Sequence, residues 1–314
     1  MMEYRVRTKR SDEWVEKYKG AQVADVMVNL VINGECRILK PDGKPLAVFL
    51  PGAAKDLSET MFPEFSRIRM RTDNRGYASG STRVKRNPND TRSRTIPVMS
   101  SVIGYMDPSK AKPVCRLTAF NAREVERWDK LQPTFKRIGE LLRDNVPERY
   151  QAQMDVVNRT NPDWIIKDTP FTTITVNNTY PTGIHTDKGD LDEGYSTLAV
   201  FRRGFYTGGW LTFPQYGVAA DMQDGDVLLM DAHEWHGNTP MICQCREKLR
   251  DPGHYCSPGL KEHPGKYVSP ERVSIVSYYR TQMEKCETQE VEEKKWIKER
   301  DKRNFKAAGV ESAN

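Results

Sequence analysis

Five short β-branched or aromatic runs crowd the second half of this sequence and restrict its fold more than any other feature. They are Phe171 to Val176, Ser196 to Phe201, Trp210 to Phe213, Val227 to Met230 and Val273 to Tyr279, with turn residues between them. Runs of this length and spacing build an all-β barrel or a jelly roll of two packed sheets. Upstream, Val23 to Leu30 and Leu46 to Leu50 read as further strands, with the turn chemistry of Pro41-Asp42-Gly43 between them. The period changes from Ala122 to Asn158. Val125, Trp128, Leu131, Phe135, Ile138, Leu141 and Leu142 recur there at helical spacing, which predicts two or three helices interrupted at Pro133 and Pro147. The expected class is α+β with a mainly β core. From Glu284 onward Glu, Lys and Arg surround Trp296 and Phe305, as in a charged terminal helix.

A chain of 314 residues, 37% of them apolar, can bury one sizeable core. No window approaches the roughly eighteen uninterrupted apolar residues of a membrane span, and Met1 to Arg10 is charged with no apolar run behind it. The expectation is a soluble, intracellular protein, cytoplasmic or nuclear. Six unevenly spread cysteines are too few for a disulfide scaffold, which agrees with a reducing compartment. Charge is concentrated. Between Arg67 and Arg94 stand nine basic residues, including Arg75, Arg83, Lys85 and Arg86, against only Asp73 and Asp90, in a chain whose net charge is +6. Such a patch suits a polyanion, because each neutralised phosphate releases counterions; a solvated basic loop is the plainer reading.

Two histidines and a carboxylate on one face form the facial triad of non-haem Fe(II) oxygenases. His185-Thr186-Asp187 is the only His-x-Asp pair in the chain. Downstream, the buried-type strand from Asp226 to Asp231 delivers His233-Glu234-Trp235-His236-Gly237-Asn238, so that His233 or His236 can supply a third ligand. In Arg272-Val273-Ser274-Ile275-Val276 a cation and a hydroxyl alternate and so share one face of a strand. An arginine fork there can hold the distal carboxylate of a keto acid that chelates iron.

Taken in order, these motifs resemble the TET/J-binding-protein (JBP) branch of the 2-oxoglutarate/Fe(II) dioxygenases, which oxidise the 5-methyl group of pyrimidine bases in nucleic acid. The resemblance runs through Asn74 to Gly80, Cys115 to Phe120, Phe171 to Asn177, His185 to Asp187, Tyr206 to Gly209, Gly225-Asp226 with His236 to Asn238, and Arg272 to Val276. It implies a double-stranded β-helix (jelly roll, cupin-like) with helices packed on one side. It also implies Fe(II) on His185, Asp187 and His236, with 2-oxoglutarate anchored by Arg272 and Ser274. Two further positions that touch the flipped base in that family correspond to Asp190 and Arg280. They replace the Asn and His of 5-methylcytosine oxidisers, which tilts the expectation towards thymine.

On this reading the partners are DNA, either duplex with a flipped base or single-stranded, and O2, with ascorbate as reductant. Arg75, Arg83, Lys85 and Arg86 would hold the DNA backbone. The domain reading is an N-terminal extension over 1–20, a dioxygenase domain over 21–283 that includes a basic segment (67–96) and an insertion (240–270), and a charged tail over 284–314. Within the insertion, Cys243, Cys245, His254 and Cys256 could bind a structural Zn(II), although their spacing matches no common finger. Two alternatives remain: hydroxylation of a protein side chain or free nucleotide, and a non-catalytic nucleic-acid-binding β-helix.

Overall fold

Alternate residues of the central strands are apolar on both sides because two different cores claim them. The computed structural model describes residues 1–69, 99–204, 206–243 and 271–307. Its larger sheet has nine strands. In spatial order they are β1 (Met2–Arg5), β3 (Cys36–Leu39), β4 (Pro45–Leu50), β12 (Val227–Met230), β8 (Ser196–Arg203), β15 (Glu271–Tyr278), β7 (Thr173–Asn178), β5 (Ser100–Met106) and β6 (Arg116–Leu117). The smaller sheet is β13 (Gly237–Asn238), β10 (Leu211–Phe213), β11 (Val218–Ala220) and β2 (Leu30–Ile32), and β14 (Met241–Cys243) pairs separately with β9 (Tyr206–Gly208).

Leu198, Val200, Leu228 and Met230 pack with Leu211, Phe213, Val218 and Ala220 of the smaller sheet. Their chain neighbours Ala199, Phe201, Val227 and Leu229 face a second core built with Phe65, Trp128, Leu131, Phe135 and Ile138. Burial on both faces produces near-continuous apolar runs instead of alternation. Among the described residues, the helices that build this second core are α2 (Ser58–Ser66) and α4 (Val125–Asn145), on one side of the large sheet.

Along β15 the helix-facing residues Val273 and Ile275 remain apolar. The opposite face changes to Arg272, Ser274, Val276, Tyr278 and then Arg280, all of which line a cavity. The apolar interior of the jelly roll ends at this strand, and a polar chamber begins.

All five predicted runs are strands, and the helical region holds α3 (Ala119–Arg123), α4 and α5 (Pro147–Val157). Pro133 does not break α4. Its ring leaves the Asp129 carbonyl without a helical donor, but Asp129 is exposed, so water can take that role. Pro147 opens α5, where its missing N–H costs nothing. The charged terminal helix is α6 (Gln289–Ala307).

Three expectations differ. Val23 to Leu30 holds a short 3-10 helix (Asp25–Met27), with only β2 beginning at Leu30, because Val23 and Met27 are spent as buried plugs against Ile184. Residues 2–5, read as part of an extension, form a strand paired in parallel with β3. Cys115 and Cys286 form a disulfide, where a fully reduced chain was expected. No helix among the described residues is long and apolar enough to cross a membrane.

Candidate active site

The segments carrying His185 and His236 are tied by a reciprocal backbone pair: His185 N–H donates to the His236 carbonyl and His236 N–H to the His185 carbonyl, both at 2.9 Å. Such close approach needs small residues beside it. A Cβ on Gly183 would collide with the Gly20 carbonyl, and one on Gly237 would sit 3.0 Å from the Gly183 and Ile184 backbone. Residues 20–23 stitch the pair from outside, through Gly20 N–H to the Ile184 carbonyl, Ile184 N–H to the Ala21 carbonyl and Val23 N–H to the Asn238 carbonyl. Asn238 adds a clamp. Its Oδ1 accepts from Thr182 Oγ1 at 2.9 Å, and its Nδ2 donates to the Gly209 carbonyl at 3.1 Å.

The ring orientations follow from second partners. His185 Nδ1 lies 2.7 Å from the Gly183 carbonyl and His236 Nδ1 lies 2.9 Å from the Glu234 carbonyl. A carbonyl only accepts, so each Nδ1 carries the proton and each Nε2 presents a lone pair. Those Nε2 atoms stand 3.5 Å and 3.7 Å from the two Asp187 oxygens. The ligand atoms of His185, Asp187 and His236 all lie within 4.8 Å of one another, and they are the one such group among the described residues that could hold a metal ion. Burial, reinforced by neighbouring His185, pushes His236 down to about 4, so it stays neutral and able to ligate at neutral pH.

His233, the rival third ligand, is turned elsewhere. Its Nδ1 lies 3.3 Å from Asp231 and its Nε2 lies 3.2 Å from Asp192, while Asp231 also takes Lys40 at 2.8 Å. The Asp231 hydrogen bond holds His233 up at about 9, making it a cation at neutral pH. A protonated imidazole has no lone pair for a metal.

The three grouped side chains line a cavity of about 150 Å³ that also receives Arg272, Ser274, Asp190 and Arg280. Arg272 is only 3% exposed, and its Nη2 has no hydrogen-bond partner among the described residues. A buried guanidinium nitrogen without an acceptor is costly, so the site calls for an anion. Two imidazoles, a carboxylate and a keto-acid anchor suit Fe(II) and 2-oxoglutarate in donor type and in arrangement.

Asp190 and Arg280 face each other across an antiparallel backbone bridge. Ser196 Oγ donates to Asp190 at 2.7 Å. Burial and the Asp187 charge push Asp190 up to about 7. Arg280 donates from Nε to Asp107 at 2.7 Å, which fixes the guanidinium. Asp107 itself has no motif signal, since it follows β5, far from Arg280 in sequence. Arg75, Arg83, Lys85 and Arg86 lie outside the described residues, as do Cys245, His254 and Cys256; Cys243 ends β14.

A sequence profile of the Tet_JBP family, the oxygenase domain of the 2OGFeDO superfamily, matches residues 101–281, more than half of the chain. The chain belongs to this family. Residues 101–281 thus correspond to the oxygenase domain of the 2OGFeDO superfamily. The chain is 36% identical over 154 residues to a thymine dioxygenase JBP1 of Leishmania braziliensis, covering 48% of this chain and 18% of that protein. Against a thymine dioxygenase JBP1-A of Trypanosoma cruzi the identity is 33% over 197 residues, 61% of this chain and 21% of that protein. The chain thus spans less than a quarter of the length of these relatives. The solved structure of NgTET1 in complex with 5mC DNA covers 88% of each chain at 16% identity with a TM-score of 0.53, a likeness of fold.

Proposed function

We propose that this chain hydroxylates the 5-methyl group of a pyrimidine base in DNA, with thymine preferred over 5-methylcytosine. The observation that carries the reading is the single cavity shared by the His185-Asp187-His236 group, the buried Arg272, whose Nη2 lacks a partner among the described residues, and the Asp190–Arg280 pair. The names of the JBP1 relatives give thymine as their substrate, and the NgTET1 structure contains 5mC DNA.

Iron held by His185, Asp187 and His236 would, with O2 and 2-oxoglutarate, supply the oxidant that converts the methyl C–H to C–OH while the keto acid leaves as succinate and CO2. The protein's own residues set the geometry. The carbonyls of Gly183 and Glu234 keep both imidazoles in the ligating tautomer. Arg272 and Ser274 orient the keto acid from the far end of the cavity. Asp107 holds Nε of Arg280 and the Tyr278 hydroxyl lies beside the same guanidinium, whose remaining N–H groups would donate towards a base. An arginine can only donate, which suits thymine O4; 5-methylcytosine offers an amino donor at the corresponding position. Ser196 Oγ holds the Asp190 carboxyl, which lines the same cavity.

A methyl group on a stacked base cannot enter a cavity of this kind, so the nucleotide must be extruded or single-stranded. Arg75, Arg83, Lys85 and Arg86 would bind its backbone.

The test is nucleoside mass spectrometry of oligonucleotides differing only in thymine or 5-methylcytosine, treated with protein, Fe(II), 2-oxoglutarate and ascorbate. 5-Hydroxymethyluracil should form faster than 5-hydroxymethylcytosine, and Arg280→His should shift the ratio towards the cytosine product. Faster oxidation of 5-methylcytosine by the wild type would reverse the base preference. No base oxidation, with succinate still released on a peptide or free nucleotide, would replace the substrate.

A further inference from the structure

His233 leaves the same turn as His236, yet its ring joins two segments that are far apart in sequence. On one side Nδ1 lies 3.3 Å from the Asp231 carboxylate, which also takes the His233 backbone N–H at 3.2 Å and Lys40 at 2.8 Å. On the other side Nε2 lies 3.3 Å from the Asp190 carbonyl oxygen. Nε2 is also 3.2 Å from Asp192, but that carboxylate is 90% exposed, and an ion pair in water contributes little. The Asp190 carbonyl matters more. Its two neighbours are tied to the segment after β15, with Thr281 N–H donating to the Gly189 carbonyl and Leu191 N–H to the Tyr279 carbonyl. In an antiparallel bridge of this kind the backbone groups of the middle residue point out of the ladder. The Asp190 carbonyl therefore depends on side chains for donors. It has two, Thr281 Oγ1 at 2.9 Å and His233 Nε2.

A carboxylate and a carbonyl only accept, so both ring nitrogens of His233 donate. We infer that His233 is a positioning residue for the DNA substrate: together with Thr281 it fixes the Asp190 main chain, and with it the carboxyl that lines the cavity. This rests on the reading of Asp190 and Arg280 as the base-facing pair. The turn after β12 then divides its two histidines, His236 serving the metal and His233 the substrate side. A residue kept only to satisfy Asp231 would need a single donor, and Lys40 already gives that carboxylate another. The second ring nitrogen is the part of His233 that Asp231 does not use, and it is the part that reaches the base-facing loop.

The experiment is steady-state kinetics of the full chain with Fe(II), 2-oxoglutarate and ascorbate on a thymine-containing oligonucleotide, read by nucleoside mass spectrometry. Two amides separate the two ring nitrogens. The side chain of His233→Asn can replace Nδ1 towards Asp231 but is too short for Asp190, whereas that of His233→Gln can donate from near the place of Nε2. His233→Asn should raise KM for the oligonucleotide about tenfold, the low end of what one hydrogen bond from a charged group is worth. Its kcat, iron content and 2-oxoglutarate requirement should stay close to those of the wild type, and His233→Gln should recover most of the loss in KM. Because Thr281 and His233 hold one carbonyl, combining Thr281→Val with His233→Asn should raise KM by more than the product of the two single effects. Unchanged KM in His233→Asn, or single effects that merely multiply, would overturn the inference while leaving the DNA reading in place. Equal effects of the two amides, or a fall in kcat or iron content to match KM, would make His233 a structural group and also overturn it. A wild type that oxidises no base would remove the DNA reading itself, and this inference with it.

Discussion

Arg272→Met tests the co-substrate site through stability, with no need for turnover. The wild-type side chain is 3% exposed and keeps an unpartnered Nη2. A bound carboxylate would accept two charge-assisted hydrogen bonds from the fork, each worth roughly 1.5–3 kcal/mol. Losing both costs about 3–6 kcal/mol, which is roughly two to four orders of magnitude in affinity. At a 2-oxoglutarate concentration 100 times the wild-type dissociation constant, ligand binding stabilises the wild type by about 2.7 kcal/mol. A hundredfold weaker variant gains only about 0.4 kcal/mol or less at that concentration. The assay is thermal unfolding of Mn(II)-loaded protein with and without 2-oxoglutarate. Methionine fills similar volume without a buried charge, so the ligand-free variant should unfold at or above the wild-type temperature. A ligand-induced shift as large as that of the wild type would refute the anchor.

Iron content after anaerobic reconstitution should collapse in His185→Ala, Asp187→Ala and His236→Ala and persist in His233→Ala; loss in His233→Ala alone would reassign the third ligand. In the metal-free protein, Asp190 has a pKa raised from 3.8 to about 7. Its contribution to stability is therefore fully present below pH 3.8 and is lost as pH rises through about 7. Asp190→Asn should flatten that fall in urea titrations at pH 5 to 8, and an unchanged slope would remove the buried carboxyl as its cause. Neutralising Arg83, Lys85 and Arg86 together should reduce the salt dependence of DNA binding by up to about three phosphate contacts. An unaltered salt slope would return that segment to the solvated loops.

The strands were legible because burial on both faces leaves little room for polar residues: β12 is Val-Leu-Leu-Met with every residue buried. β3, Cys-Arg-Ile-Leu, escaped notice because it is short and carries an arginine. Val23 and Met27 misled because the same apolar residues can fill a ladder or plug a turn, and only the position of Ile184 decides which. In the site, the His-x-Asp spacing and the Arg-x-Ser alternation are local properties and could be read directly. The choice between His233 and His236 could not, since both leave the same strand. It is made by Asp231 and Lys40, the latter on the loop between β3 and β4. Asp107 carried no local signal for the same reason, because its partner, Arg280, is distant in sequence.

The stitching of residues 20–23 to the His185 and His236 segments has a consequence for how the protein matures. Gly20 meets Ile184 and Val23 meets Asn238 across most of the described chain. Contacts between such remote segments close large loops and tend to form late and slowly. A refolding chain will hold helices and hairpins well before these ends meet, and in that interval both imidazoles are free to swing away from Asp187. Metal capture with all three side chains would then wait on the closing of these contacts. Iron added early to a refolding mixture would meet only weak, partial sites, and shortening the chain past residue 20 would slow or prevent that closure even though none of the three metal-facing side chains is removed.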